Sequence, residues 1–432
     1  METALPPLYR IRQQARCGDL ENVAASLAGA LEDSGALESV SPGAKILVAC
    51  GSRGIPNYVS VVKALVDSLT RAGADVAILP AMGTHAGGTP QGQVRLLEAL
   101  GISSLSVGAP VIDTMEVEKI GVTPSGIPVF ADRSLLRSDG VILVNRIKDH
   151  TEFNGTVQSG LLKMIAVGLG RSEGAIQMHR HAVAVGYQTA ILEIARACIQ
   201  MLPILAGVAM VDGPGTSTTH LEVVLPGEFE AAEPRLLEIS RKCGLKLPLE
   251  EIDLLIVDEM GKDISGTGID TKVVGRVMNM YETEPEAPRI TRIFVRDLTA
   301  ATHGNAIGIG LADFTTSRLV QKMDVAATNL NCIAAVTPEK GRIPIAFETD
   351  RDALDAAMST IGPTDEGSLR LVWIQNTNRL DDLMASSAAV AAMEQEGAHV
   401  IEGPLAMEFD PEGNLIPAWR TAGGSPPIPM TG

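Results

Sequence analysis

The sequence predicts an α/β protein of two domains, each a mostly parallel sheet flanked by helices. Three observations carry that prediction. Short apolar runs of strand length alternate with segments of helical periodicity along most of the chain. Runs apolar at all but one position, such as Ala44 to Cys50 and Ile252 to Val257, suit strands covered on both faces. The length, 432 residues, exceeds what one hydrophobic core usually supports. The expected boundary lies near residue 248, giving domains 1–248 and 249–432 with the active site in the cleft between them.

The elements follow in order. Ala44 to Cys50 (AKILVAC) reads as a strand ending in Gly51-Ser52-Arg53-Gly54, and Pro56 sits where a helix commonly begins. From Asn57 to Arg71 the residues Tyr58, Val61, Val62, Leu65, Val66 and Leu69 recur at helical spacing and form one stripe. Gly73 stops that helix, and Asp75 to Pro80 is the next strand. Strand–helix–strand crossovers are right-handed, so both strands end on one edge and the Ser52-Arg53 loop approaches Gly83-Thr84-His85. Further strands are expected at Ser138–Val144, Ile252–Val257, Ile293–Val295, Cys332–Val336 and Leu371–Ile374. Helices are expected at Ala182–Leu202, Asp352–Ser359 and Asp381–Gln395. Leu161 to Gly170 reads as a buried segment with glycines, Pro226 to Leu249 as a polar connector, and the tail from Gly423 as loosely ordered.

Composition narrows the functional classes. The net charge of −17 disfavours nucleic acid as a partner, because phosphate binding needs a basic surface. No apolar run reaches the roughly 18 residues needed to span a bilayer, and the stretch after Met1 has no apolar signal core. Cys17, Cys50, Cys198, Cys243 and Cys332 are scattered and lack CxxC spacing, so they are expected to be reduced, mostly buried thiols of a cytoplasmic protein.

Reactive residues gather after strands. His85 follows the Asp75 strand and His150 the Gly140–Val144 strand, and open α/β sheets bind ligands at the carboxyl ends of their strands. Two imidazoles facing one pocket can each take or return a proton near neutral pH. Arg53 can clamp a carboxylate through a two-pronged contact. Lys163, inside LLKMIAVG, sits among aliphatic neighbours that favour its neutral, nucleophilic form; its alternative is to carry its head out to solvent. His179 and His181 would share a face on a strand but not on a helix, so their joint use as metal ligands depends on the backbone. Gly261 to Gly268 (GKDISGTG) is a candidate anion loop, with Gly266, Thr267 and Gly268 close to a ligand and Lys262 adding charge. Spacing of the GxGxxG kind is missing around Gly168-Leu169-Gly170, which removes a nicotinamide domain from consideration.

Taken in order, Gly51-Ser52-Arg53-Gly54-Ile55-Pro56, Gly83-Thr84-His85, Lys148-Asp149-His150 and Gly261-Lys262-Asp263 resemble the nickel-dependent lactate racemase superfamily of 2-hydroxyacid racemases and epimerases. The resemblance implies a nickel-pincer nucleotide (a pyridinium-3,5-bisthiocarboxylic acid mononucleotide carrying Ni(II)) tethered to a lysine, with a histidine sixteen positions later as a further metal ligand. Lys163 and His179 stand at that spacing, so the resemblance assigns the tether to Lys163 and the nickel to His179. It further assigns His85 and His150 as the two bases, Arg53, Lys262 and Trp373 as substrate contacts, and Ser52 with Gly266, Thr267 and Gly268 as cofactor contacts. The partners it implies are a small hydroxyacid and the enzymes that synthesise the cofactor. One departure stands out. Lactate racemase carries Gly-Gly-Arg-Lys up to the tethering lysine, whereas this chain reads Gln158-Ser159-Gly160-Leu161-Leu162-Lys163. A substrate other than lactate is therefore expected, such as malate, a longer aliphatic hydroxyacid or a sugar acid.

Two other classes remain open at this level. One is a zinc or iron hydrolase or lyase using His179, His181 and Glu173. The other is a non-catalytic nucleotide-binding protein that keeps only the Gly261–Gly268 loop.

Overall fold

The computed structural model describes residues 5–14, 17–52, 54–213, 217–363, 367–394, 397–417 and 419. Its strands are β1 (Leu8–Arg12), β2 (Lys45–Cys50), β3 (Asp75–Pro80), β4 (Val117–Val122), β5 (Pro128–Asp132), β6 (Gly140–Arg146), β7 (Ile204–Asp212) and β8 (Thr218–Val224). They continue with β9 (Glu251–Met260), β10 (Arg289–Leu298), β11 (Phe314–Thr316), β12 (Ile345–Phe347), β13 (Leu371–Ile374), β14 (Asp382–Ser386) and β15 (His399–Leu405). The helices are α1 (Val23–Ser34), α2 (Tyr58–Arg71), α3 (Pro90–Ala99), α4 (Ser104–Val107), α5 (Leu161–Lys163), α6 (Arg171–Val185) and α7 (Tyr187–Met201). After them come α8 (Phe229–Cys243), α9 (Thr271–Val274), α10 (Ser317–Lys322), α11 (Val325–Ala334), α12 (Asp350–Ser359) and α13 (Ser387–Met393).

Two sheets organise these elements, and the protein is α/β with mostly parallel strands flanked by helices. The first runs β3-β2-β6-β7-β8, with only the β7–β8 pair antiparallel. The second runs β12-β11-β10-β9-β13-β14-β1-β15, parallel as far as β13. Each has a switch point, between β2 and β6 and between β9 and β13, where successive connections leave in opposite directions. Crevices form at the carboxyl ends of strands at such points.

Apolar strands lie where both faces are covered. Ile46, Val48 and Cys50 of β2 face one core with α2, while Leu47 and Ala49 face the other, with α7 and α8. The α2 stripe read from the sequence is buried in full: Tyr58, Val61, Val62, Leu65, Val66 and Leu69. Each of those larger side chains contributes roughly 1.5–3 kcal/mol by leaving water. The second sheet likewise has a core on each face.

Several expectations are corrected. Strand β1 lies in the second sheet, beside β14 and β15, so the chain begins in the C-terminal half before building the first sheet. A division at 248 therefore separates the sheets only after this strand. The helix read over Ala182–Leu202 breaks at Gly186, whose positive φ of 85° starts a new helix, α7. Pro226 to Leu249 is not merely polar. It contains α8, whose Phe229, Leu236 and Leu237 enter the first core. Residues 332–336, expected as a strand, end helix α11 and the turn after it. Asp381–Gln395, expected as a helix, divides into strand β14 and helix α13. Cys17 and Cys243 form a disulfide, contrary to the expectation of reduced thiols, while Cys50, Cys198 and Cys332 are free and buried. The tail from Gly423 lies outside the described residues, and among those described no helix is long and apolar enough to cross a membrane.

Candidate active site

The strand-end loops of both sheets line one cavity of about 3160 Å³. Ser52, His85, His150, Lys163, His179, Lys262 and Gly266 all reach it. Arg53 lies outside the described residues.

Loops after β2 and β3 meet as the crossover rule requires: Ser52 Oγ contacts His85 Nδ1. The loop before His85 turns at Gly83, whose φ of 57° and whose closeness to Val167 and Ala175 leave no room for a side chain. Gln93 on α3 donates to the Gly83 carbonyl at 2.8 Å. Beneath this turn lies Arg171, a buried residue with a positive φ of 52°. Its guanidinium bonds Asp132 at 2.5 Å, Gln93 at 3.0 Å and the Pro80 carbonyl, so it ties the end of β3 to the start of α6.

His150 sits on the loop after β6, which Lys148 and Ser159 close with an antiparallel bridge. Its amide donates to Gln158 Oε1 at 2.6 Å, and its ring stacks on Phe153 at 4.3 Å. Nδ1 accepts the Glu152 amide at 3.0 Å, so a neutral ring carries its proton on Nε2. That nitrogen faces the Lys163 amine, which it contacts. Burial, and next the Lys163 charge, hold the His150 imidazole well below its usual pKa. Asp149 beside it is clamped by Arg241 at 2.8 Å.

Lys163 closes the short helix α5, which continues through a π-turn over Met164–Gly168 into α6. Such turns recur at functional sites because they rotate side chains out of helical register. The start of this helix is capped from outside: Glu233 on α8 accepts the Leu162 amide at 2.6 Å. A Cβ at Gly160 would lie 2.6 Å from the Glu233 carboxyl and would displace that cap. Burial pushes the Glu233 carboxyl up to about 7, opposed by the amide bonds it accepts.

His179 and His181 both lie on helix α6, which decides their relation: they diverge. His179 reaches the cavity, whereas His181 Nδ1 engages the Gln177 carbonyl at 2.9 Å. Burial, then Lys163, lowers His179 to about 4, so its ring is neutral, the form that binds metals. Its Nδ1 is buried and has no hydrogen-bond partner. Glu173 is taken by Gln177 at 2.9 Å, and among the described residues no three His, Cys, Asp or Glu side chains converge on a metal position. The ligand set of the zinc or iron alternative is thus not assembled. A metal here would draw its other donors from a group brought into the site, and a neutral imidazole with an unused buried nitrogen fits that arrangement.

The opposite wall departs from expectation. Within Gly261–Gly268 the amides of Gly261, Ile264, Ser265 and Gly268 donate to carbonyls of the loop itself and that of Lys262 to Thr302 Oγ1, so most of its amides are already spent. Thr267 is buried and donates to the Ile269 carbonyl at 2.6 Å, and neither it nor Gly268 lines the cavity. Lys262 does, with its amine on Asn331. Trp373 is a core residue of β13, 1% exposed, donating to Asp258 at 2.8 Å, and it does not line the cavity. Sequence reasoning missed Arg171, Glu233, Glu152 and Lys340. Only Glu152, two places after His150, stood near a motif.

His85, His150, Lys163 and His179 thus line one cavity at the switch point of a mostly parallel sheet. Residues 9–190 match the family model of the lactate racemase N-terminal domain. Over those residues the chain is similar to that family's N-terminal domain. A solved structural-genomics protein from Thermotoga maritima shares the fold at TM-score 0.54 and 14% identity, over 84% of this chain and 98% of that one. The lactate racemase apoprotein from Thermoanaerobacterium thermosaccharolyticum aligns at TM-score 0.49 and 14% identity, over 85% of each chain. No curated protein matches the chain.

Proposed function

We propose that this protein inverts C2 of a 2-hydroxycarboxylic acid, working with a nickel-pincer nucleotide as an isomerase of the racemase or epimerase type. The observation that carries the reading is the grouping of Lys163, His150 and His179 around one cavity, with the His179 Nδ1 buried and unused. Lys163 would anchor the nucleotide and His179 would hold its nickel. When bound, that group supplies a reversible hydride acceptor, which the weakly acidic C2–H requires.

The chain's own residues do the rest. His150 Nε2 contacts the Lys163 amine, the group a covalent anchor would use. His85 and His150, on separate loops, are assigned the exchange of the hydroxyl proton from opposite sides of the substrate; His150 accepts it on Nε2 after its own proton moves to Nδ1 and the Glu152 amide bond is released. Ser52 orients His85 through Nδ1. Lys262 offers a cation from the opposite wall, and Arg53 is assigned the substrate carboxylate.

Production with nickel and the cofactor-synthesis enzymes, followed by intact-mass and peptide mapping, tests the anchor. An adduct on Lys163 together with racemisation of at least one acid in a chiral panel is the expected result. Unmodified Lys163 in protein that still racemises would refute the assignment.

A further inference from the structure

The loop carrying His150 is held largely by the C-terminal half of the chain. The Thr151 carbonyl accepts from Thr271 Oγ1 at 2.7 Å, and the Glu152 carbonyl accepts from Asn279 Nδ2 at 3.0 Å. The Asn154 amide donates to Glu282 at 3.0 Å, its side chain donates to the Thr283 carbonyl at 3.1 Å, and its Oδ1 accepts from Lys272. The deepest contact is Lys340. It is 0% exposed and forms an ion pair with the Glu152 carboxylate. A buried lysine is tolerated only when paired, so this contact is specific rather than incidental. Its backbone is pinned as well, the carbonyl accepting the Gly308 amide at 3.0 Å.

Glu152 is consequently held at three points. Its carboxylate meets Lys340, its carbonyl meets Asn279, and its amide donates to His150 Nδ1. The amide bond selects which ring nitrogen carries the proton, as a partner on one nitrogen does for any histidine. We propose that Glu152 and Lys340 are positioning residues for His150: Lys340 holds the Glu152 peptide where its amide fixes the orientation and tautomer of the ring. The catalytic meaning of this pair rests on the reading of His150 as a base. Its structural meaning does not.

The test uses the full-length protein without cofactor, with 15N-labelled histidine. Long-range proton–nitrogen spectra of the wild type should show His150 as one tautomer, protonated on Nε2. In Lys340→Met the ring should become a mixture of tautomers. The Glu152 amide should exchange at least about tenfold faster, while the Leu65 amide in α2 stays unchanged. Lys340→Arg keeps the charge and should restore both signals. Should Lys340→Met not fold, the double variant Glu152→Gln/Lys340→Met removes both charges together and reads the same signals. An unaltered tautomer and an equally protected Glu152 amide in a folded variant would overturn the proposal. In loaded enzyme, Lys340→Met should lower kcat by about tenfold with KM within about twofold. If the wild type racemises no hydroxyacid while the variant still scrambles the ring, the functional reading falls and the positioning pair stands.

Discussion

The two walls of the cleft are built alike and behave differently. Each is the carboxyl edge of a parallel sheet at a switch point, yet one gathers imidazoles and an amine while the other gathers fully paired charges. On the first wall, burial and neighbouring lysine keep His150 and His179 neutral. On the second, Arg296 bridges Asp258 and Asp350, Arg318 pairs with Asp350 at 2.6 Å, and Trp373 and Trp419 donate to Asp258 at 2.8 and 2.9 Å. Burial alone does not make a residue reactive. A buried charge that is fully satisfied becomes scaffold, whereas a buried group held uncharged stays available for chemistry.

If the contrast holds, mutations of the first-wall imidazoles remove activity, whereas mutations within the Asp258–Arg296–Asp350 cluster of the second remove stability. The largest effect is expected from His150→Ala or His85→Ala, which should slow racemisation by about a thousandfold in a chiral assay. Wild-type turnover in either would break the two-base assignment. Arg296→Met leaves Asp258 and Asp350 buried without their cation, so urea unfolding should show a loss of about 3–5 kcal/mol. The KM of the folded fraction should stay within about twofold.

Glu233 sharpens the comparison, because it is a buried carboxyl on the reactive side. Its folded pKa of about 7 lies above the unfolded value near 4.5, so the folded state holds more protons between those pH values. Stability is therefore fully present below pH 4.5 and falls as pH rises to about 7, by about 3 kcal/mol. Glu233→Gln should flatten that dependence, measured by unfolding at pH 5 and pH 8. An equally steep profile in the variant would remove Glu233 as its source. The smallest effect is expected from Trp373→Phe, which loses one buried hydrogen bond and about 1–2 kcal/mol with KM unchanged. A large rise in KM would return Trp373 to the binding surface.

Some of this was legible from residues alone. The α2 stripe, β3 and β13 were readable because periodicity and β-branched runs act over a few residues, and the His85 and His150 loops because they follow those runs. The meeting of Ser52 with His85 followed from crossover handedness. What failed had competing local signals. Gly261–Gly268 has the composition of an anion loop, but four of its amides donate to carbonyls within the loop. Trp373 was assigned to the substrate by resemblance, yet it lies within strand β13 and fills a core.

Sequence alone determined the α/β class, the elements with a clean period such as α2 and β3, and the order in which the reactive residues meet the strand ends, because those follow from side-chain period and chain direction. Tertiary structure decided which neighbours act on each residue. Glu233 reaches Leu162 across 71 positions and Lys340 reaches Glu152 across 188, so no local pattern encodes either contact. Protonation and orientation at the site depend on such distant partners, because charge and hydrogen bonding act through space rather than along the chain.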